Sequence, residues 1–526
     1  MASPRTARAS RRFSRNRKRG GSGGAQRRLL LEPLEDRRLL TLVTWDGEGG
    51  DFEWSTPANW SSDALPGAAD DVLISPAESI TVCHSSGTTA VRSLNSTAHV
   101  QVLGGTLTVS AASQVDGQFV LGAGATLRAV GLGASFVASA TTAIDGGNLH
   151  ALDGGHIALP QAVAYNHNPT ANDQTRTLRA SGAGSVLDLS HVSHMAGGNR
   201  WNSDLVIEAV GGGRIDLAGL RQIVDPRTGE VRYGGVSLTA DGANSVVDLS
   251  LLATFQDFDT SQRSRLIARN GGEILAEVLA DVRGVELVLD GSGTVPIAQI
   301  VSLTDGAATL SGQDYAFPGL QNAAGTVFTI SGGHADLSAV TNLTRGAVTL
   351  SNGGTADLSR AHAIDGASFW VNDGVRLALP AARSYAHATT ANDQTRSLRA
   401  SGAGSVLDLS NVSSITGGTN WNSDLTIEAV AGGQIDLGRV RQIADARSGE
   451  LRYGRMSVTA DGADSVVDLS ALITFQDFDT SERSRLVASG GGTVLAGSLV
   501  DVRGVELVLD GTGTLPLAQL SSLTEG

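Results

Sequence analysis

Residues 171–306 recur as residues 391–526 without insertion or deletion, and 98 of the 136 aligned positions are identical. The run SGAGSVLDLS stands unchanged at 181–190 and 401–410, and DVRGVELVLD at 281–290 and 501–510. A period of this kind signals an array in which each unit packs on the next. A shorter unit lies inside the 220 residues. A stretch rich in β-branched residues ends at a small or apolar residue, a Gly-rich corner follows, and a second stretch reads V/I-x-D-L-S. The residues just before the corner are Ala151, Ala180, Ala209, Ala240, Ala268, Leu289, Leu310, Ile330, Leu350 and Val371, spaced by 20 to 31 residues. A 20-residue step suits one coil of three short strands and three corners. The wider steps are the same coil with an extra loop of about 8–10 residues.

Strict alternation, as in Val186-Leu187-Asp188-Leu189, buries one side of a strand and exposes the other. Glycine at the corners supplies positive φ. Together these features predict an all-β chain: a right-handed parallel β-helix (β-solenoid) with coils of 20–31 residues. The WD and Kelch signatures of a propeller are missing. With 17% charged residues the chain lacks the heptads of a coiled coil, and its 66 glycines do not follow a Gly-X-Y period. A hydrophobic fraction of 41% is too high for a disordered chain. No run of 18 apolar residues occurs, so no transmembrane segment is expected. Cys83 is the single cysteine, which excludes an internal disulfide and a CxxC metal site.

Charge is divided along the chain. Residues 1–28 hold ten Arg or Lys and no acid, while the whole chain carries −14. Such an arm is expected to be disordered, and a targeting role suits its terminal position. The acidic remainder would repel phosphate, so no nucleic acid is expected as a partner. Leu31-Glu32-Pro33-Leu34-Glu35-Asp36-Arg37-Arg38-Leu39-Leu40 resembles the LEPR-XLL motif found near the N-terminus of large surface or exported proteins of planctomycetes. It departs from the short form by carrying Leu34-Glu35-Asp36 between the proline and the arginine pair. The resemblance implies a secreted or cell-surface location and no particular activity. Trp45-Asp46-Gly47, Trp54, Asn59-Trp60, Leu65-Pro66-Gly67 and Asp70-Asp71-Val72 then resemble the opening of bacterial extracellular β-helices. There, tryptophans lid the first coil. A sugar-stacking pair at Trp54 and Trp60 is the rival reading. The expected organisation is a basic arm at 1–28, a targeting motif at 29–43, an entry cap at 44–86, and solenoid halves at 87–306 and 307–526.

Two sets of residues carry candidate chemistry. The first is the ladder of DLS carboxylates: Asp188, Asp216 and Asp248, Asp336 and Asp357, Asp408, Asp436 and Asp468. Carboxylates stacked ~4.8 Å apart repel by roughly 0.9 kcal/mol in water-like surroundings. An Asx-type turn to the following backbone offsets that; calcium bridging is the alternative, and otherwise no cofactor is expected. The second set lies in four loops inserted at one corner of successive coils. These hold His167 with Asp173 and Arg176, then Trp201 and Asp204, then Arg221, Arg227, Arg232 and Tyr233, then Asp257, Asp259, Arg263 and Arg265. The copies are His387, Asp393 and Arg396, then Trp421 and Asp424, then Arg441, Arg447, Arg452 and Tyr453, then Asp477, Asp479, Arg483 and Arg485. Trp, Tyr, Arg and Asp on one face suit contact with a polysaccharide or another cell-envelope component. Packing of the loops on one another is the simpler alternative.

The expected function is therefore a structural, adhesive or glycan-binding β-solenoid. The rival class is a carbohydrate-active β-helix enzyme, a lyase or hydrolase, working through Asp257 or Asp477. The NTD, GHG and RIK elements of polygalacturonase-like helices are missing, as are HExxH, GxSxG and the P-loop. The sequence stops at Leu523-Thr524-Glu525-Gly526, where the first copy continues into Ala307-Ala308. Nothing after the second copy resembles a cap, so a shortened product or self-association through the last coil is expected.

Overall fold

The computed structural model describes residues 41–225, 233–259, 261–445, 449–450, 452–479 and 481–526. The basic arm, residues 29–40 of the leucine-rich motif, and Arg227, Arg232 and Arg447 lie outside them. The described chain is a parallel β-helix. Its longest sheet gathers one strand from each coil, from Thr88–Val91 to Val505–Leu509. Every neighbouring pair is parallel, as Thr106–Val109 on Thr126–Val130 and Val285–Leu289 on Ala307–Ser311. The residues that the sequence marked before each corner form one column of this sheet. Ala151 pairs with Ala180, Ala180 with Ala209, Ala209 with Ala240, and Ala240 with Ala268. The column continues through Leu289, Leu310, Ile330 and Leu350 to Val371 and Ala400. Its first step is short, since Val91 pairs with Val109.

Two shorter faces complete each coil. The second face runs through Val186–Asp188, Arg214–Asp216 and Val246–Asp248; the third runs through Ala164–Asn166, His194–Ala196, Gln222–Val224 and Thr254–Gln256. Alternating residues of all three faces point inward and make one continuous core: Leu178, Leu187 and Met195 in one coil, Ile207, Ile215 and Ile223 in the next. Each such side chain contributes roughly 1.5–3 kcal/mol on leaving water. Inter-coil hydrogen bonding satisfies the backbone without disulfides.

Three recurring devices make the corners. Every carboxylate of the DLS ladder accepts the backbone N–H two residues on: Ser190, Ala218 and Ser250, then Ser338 and Ser359, then Ser410, Gly438 and Ser470, all at 2.8–3.2 Å. These are the Asx turns expected from sequence. Arg214 adds an ion pair to Asp248 at 2.6 Å, and Arg376 pairs with Asp408. Between the long sheet and the second face, buried Ser185, Ser245, Ser405 and Ser465 staple the turn. Ser405 Oγ donates to the Ser401 carbonyl at 2.7 Å and accepts from Gly374 N at 2.9 Å. Between the third face and the long sheet, coils without an insert turn through a left-handed residue: Gly284, Asp305, Gly325, Arg345 and Gly366, with φ of 52–72°.

The entry segment is part of the helix. Thr41–Thr44 pairs parallel with Asp70–Ile74, which pairs with Ser93–Ser96. Trp60 sits fully buried between Trp45 and Trp54, with ring centroids 5.0 and 4.8 Å away, and its Nε1 donates to the Trp54 carbonyl at 2.9 Å. Trp54 is 2% exposed. Neither ring face is open to a sugar, so these tryptophans are a lid. At the other end Leu509 and Leu523 are exposed. Among the described residues no helix is long and apolar enough to cross a membrane.

Candidate functional site: the insert-loop face

The four inserts of each copy leave the third face and rejoin the long sheet, so they emerge at one corner in consecutive coils. Long-sheet strands bordering them are lengthened: Thr175–Ser181 and Asp204–Val210 have seven residues, against five in the insert-free Val327–Ser331. Backbone hydrogen bonds beyond the barrel of each coil knit the loops together.

His167 is wholly buried, and its Nε2 lies 3.0 Å from the Gln174 carbonyl and 2.9 Å from the Asp204 carbonyl. Burial, reinforced by Arg176, lowers its pKa, so the ring is neutral and staples one loop to the next coil. His387 repeats the arrangement at 3.0 and 2.9 Å. Asp173 is exposed; its Oδ1 accepts Asn202 Nδ2 at 2.6 Å and its N–H donates to the Trp201 carbonyl at 3.0 Å. Asp393 does the same with Asn422 and Trp421. Trp201 and Tyr233 meet edge to face at 5.9 Å, Trp421 and Tyr453 at 5.7 Å. Both tyrosines are nearly half exposed and left-handed, with φ of 64°.

The carboxylates are placed differently from a solvent-facing row. Asp257 is 1% exposed: Oδ1 accepts Asp259 N at 2.7 Å and Oδ2 accepts Ser264 N at 2.6 Å. Asp259, also buried, accepts Ser261 N at 2.7 Å. Asp477 and Asp479 repeat these bonds at 2.7–2.8 Å. The loop backbone wraps around these side chains because its N–H groups need acceptors away from water. Asp204 and Asp424 are partly buried, and burial raises both pKa values. Arg176 points inward and gives its guanidinium to Gln174 Oε1 at 2.8 Å and the Thr175 carbonyl at 3.2 Å. Its copy Arg396 is more open and borders a cleft.

Sequence reasoning passed over Asp225 and Asp445, which follow the third-face strands Gln222–Val224 and Gln442–Ala444. Asp225 is 1% exposed with neither oxygen hydrogen-bonded. Burial first, and then the carboxylates of Asp257, Asp259 and Asp204, push its pKa up to about 9; burial pushes Asp257 up to about 6. The available signal was the recurrence of QIVD as QIAD at 222–225 and 442–445. Such displaced pKa values suit proton transfer, but Asp225 is closed to a polymer chain and Asp257 spends both oxygens on backbone N–H groups. Among the described residues no group of three or more His, Cys, Asp or Glu is arranged to hold a metal ion.

Fold and loops define the class: a parallel β-helix bearing two stacks of polar, aromatic-edged loops along one corner. No family model, no curated protein and no solved structure matches the chain.

Proposed function

We propose that the protein is a non-enzymatic, secreted or cell-surface β-solenoid that holds a glycan or related cell-envelope polymer along its insert-loop face. The observation that carries this reading is the pair of aromatic ledges, Trp201 with Tyr233 and Trp421 with Tyr453. Each is half open and fixed by inter-loop hydrogen bonds. Nine coils separate the ledges, about 43 Å at ~4.8 Å per rung, a span that suits a polymer better than a small molecule. Rigid aromatic rings offer a sugar an apolar face at little entropic cost. The N-terminal basic arm and leucine-rich motif support export to the surface. The loop carboxylates favour binding over catalysis, since Asp257 and Asp477 spend both oxygens on backbone N–H groups.

The test is a glycan array with the full chain, followed by titration of hits against Trp201→Ala/Trp421→Ala. The double variant should bind the neutral glycans at least about tenfold more weakly, the scale of two lost aromatic contacts. Unchanged affinity would reject the ledges, and turnover of a bound glycan would reject the non-enzymatic reading.

A further inference from the structure

Between the last insert of copy one and the first insert of copy two lie coils with no insert. The corner is low there, and the loops on either side stand as walls about six rungs apart, roughly 29 Å. A cleft of about 440 Å³, within the size range of small-ligand sites, lies between the walls and is lined by residues of both, from Asp259 and Arg263 to Thr390 and Arg396. Four arginines border it: Arg263, Arg283, Arg345 and Arg396. Arg283 is held by Asp305 at 3.1 Å and lies over the Phe258 ring at 4.9 Å. Among the described residues Arg263 donates only to the Asp305 carbonyl, at 3.3 Å. Arg263, Arg345 and Arg396 make no ion pair among the described residues, and Arg396 Nε is buried without a partner. Of the carboxylates lining the cleft, Asp305 is paired with Arg283, and Asp257 is buried with both oxygens on backbone N–H groups; Asp259 is buried with Oδ1 bonded to Ser261 and Oδ2 without a hydrogen bond.

We propose that this cleft binds the acidic groups of an anionic glycan, a carboxylated or sulfated oligosaccharide. The proposal deepens the glycan-binding reading and rests on it for the class of polymer. Guanidinium groups present planar donor forks that match carboxylate and sulfate oxygens. The chain as a whole carries 53 acids against 39 bases, so unpaired arginines gathered at one point are not a general surface property.

The backbone supplies a second, independent sign. The tight corner of an insert-free coil needs a left-handed residue, and Gly284, Gly325 and Gly366 supply it, with Asp305, a residue type that tolerates this conformation, at a fourth. Arg345 takes the same place with φ of 60°. A side chain there is held against a conformational penalty that glycine avoids, and strain of this kind gathers at functional positions. At the start of copy one the equivalent residue is glycine. Gly124 N bonds to the Gly146 carbonyl and Gly146 N to the Asn166 carbonyl, as Arg345 N bonds to Asp365 and Gly366 N to Ala386. Arg176 Nη2 lies over Gly124, 3.8 Å from where a Cβ would stand. The four-arginine set is therefore assembled where the copies meet.

The test is calorimetric titration of the full chain with oligogalacturonate, sulfated dextran, neutral dextran, inorganic sulfate and a short oligonucleotide. Either acidic glycan should bind, more weakly as salt rises, and Arg345→Gly or Arg396→Gln should weaken it by about tenfold or more. Arg345→Gly removes the strained side chain, so its melting temperature should equal or exceed that of the parent. Arg176→Gln, at the matching place in copy one, should leave binding unchanged. Acidic glycan binding that survives Arg345→Gly and Arg396→Gln overturns the site. Sulfate or oligonucleotide binding as tight as the acidic glycans overturns the ligand class. Neutral dextran binding lost in Trp201→Ala/Trp421→Ala, with no acidic glycan bound, overturns this inference and leaves the ledges standing. No glycan binding at all overturns both.

Discussion

Replacing Asp225 by asparagine should stabilise the protein, and the gain should grow with pH. In the folded chain burial and neighbouring carboxylates push Asp225 up to about 9. An unfolded aspartate titrates near 3.9. A folded pKa above the unfolded one means that the native state holds the proton more tightly. The stability this confers is complete below about pH 4 and is lost as pH rises toward 9. Each pH unit is worth about 1.4 kcal/mol, so keeping Asp225 protonated at pH 7 costs on the order of 4 kcal/mol. Asparagine has the same shape and no charge at any pH.

Calorimetric melting of parent and variant at pH 5, 6, 7 and 8 is the assay. Absolute slopes are not the measure, because His150, His167 and His387, with lowered pKa values, favour the folded state as pH rises through 6.5. The difference between variant and parent isolates Asp225. It should be small near pH 5 and increase at each step, with melting at pH 8 higher in the variant. A constant difference, or a variant that melts lower than the parent at pH 8, would refute a protonated buried carboxyl at Asp225.

Four further outcomes follow from the corners and the lid. Ser405→Ala should lose about 1–2 kcal/mol by leaving Gly374 N without its acceptor, measurable as faster amide exchange at Gly374. Trp60→Ala should cost about 3–5 kcal/mol; because coils couple only to neighbours, exchange should quicken in Thr41–Thr44 and Asp70–Ile74 and stay unchanged beyond the first few coils. Asp408→Asn keeps the oxygen that Ser410 N needs and should cost less than about 1 kcal/mol, with Asp408→Ala costing more. Chelators should leave the melting temperature of the parent unchanged; a fall of several degrees would mean that the ladder holds a divalent cation after all.

What could be read from the sequence followed from repetition and local chemistry. The column from Ala151 to Val371 was legible because strand alternation and a Gly corner recur at every step. All eight ladder aspartates were legible as Asx turns because the bond closes within two residues. The interior of the inserts was not legible in this way. Asp257 and Asp477 look like exposed carboxylates in a polar loop, and nothing local reveals that the chain seven residues on, at Ser264 and Ser484, folds back to donate to them. The junction cleft is harder still, since Arg263 and Arg396 are more than a hundred residues apart and each belongs to a loop with an almost identical twin.

That near-identity isolates what the neighbours do. Gln174-Thr175-Arg176 and Gln394-Thr395-Arg396 have the same sequence and the same strand register, Arg176 opposite Leu205 and Arg396 opposite Leu425. Yet Arg176 bonds to Gln174 Oε1, while Gln394 turns its amide to Thr390 alone and Arg396 borders the cleft. The copies differ in the loop itself, Asn168-Pro169 against Ala388-Thr389, and in the corner two coils before it, Gly124 against Arg345. In copy one Gly124 leaves room for the Arg176 guanidinium; in copy two Arg345 fills the equivalent corner and repels a second positive charge. A crystal structure of Arg345→Gly should then show Arg396 folded back, with a guanidinium nitrogen about 2.8–3.2 Å from Gln394 Oε1, the ordinary range for such a bond. The reciprocal change, Gly124→Arg, should release Arg176 from Gln174. If Arg396 stays beside the cleft when Arg345 is gone, occupancy of that corner is not what separates the two copies.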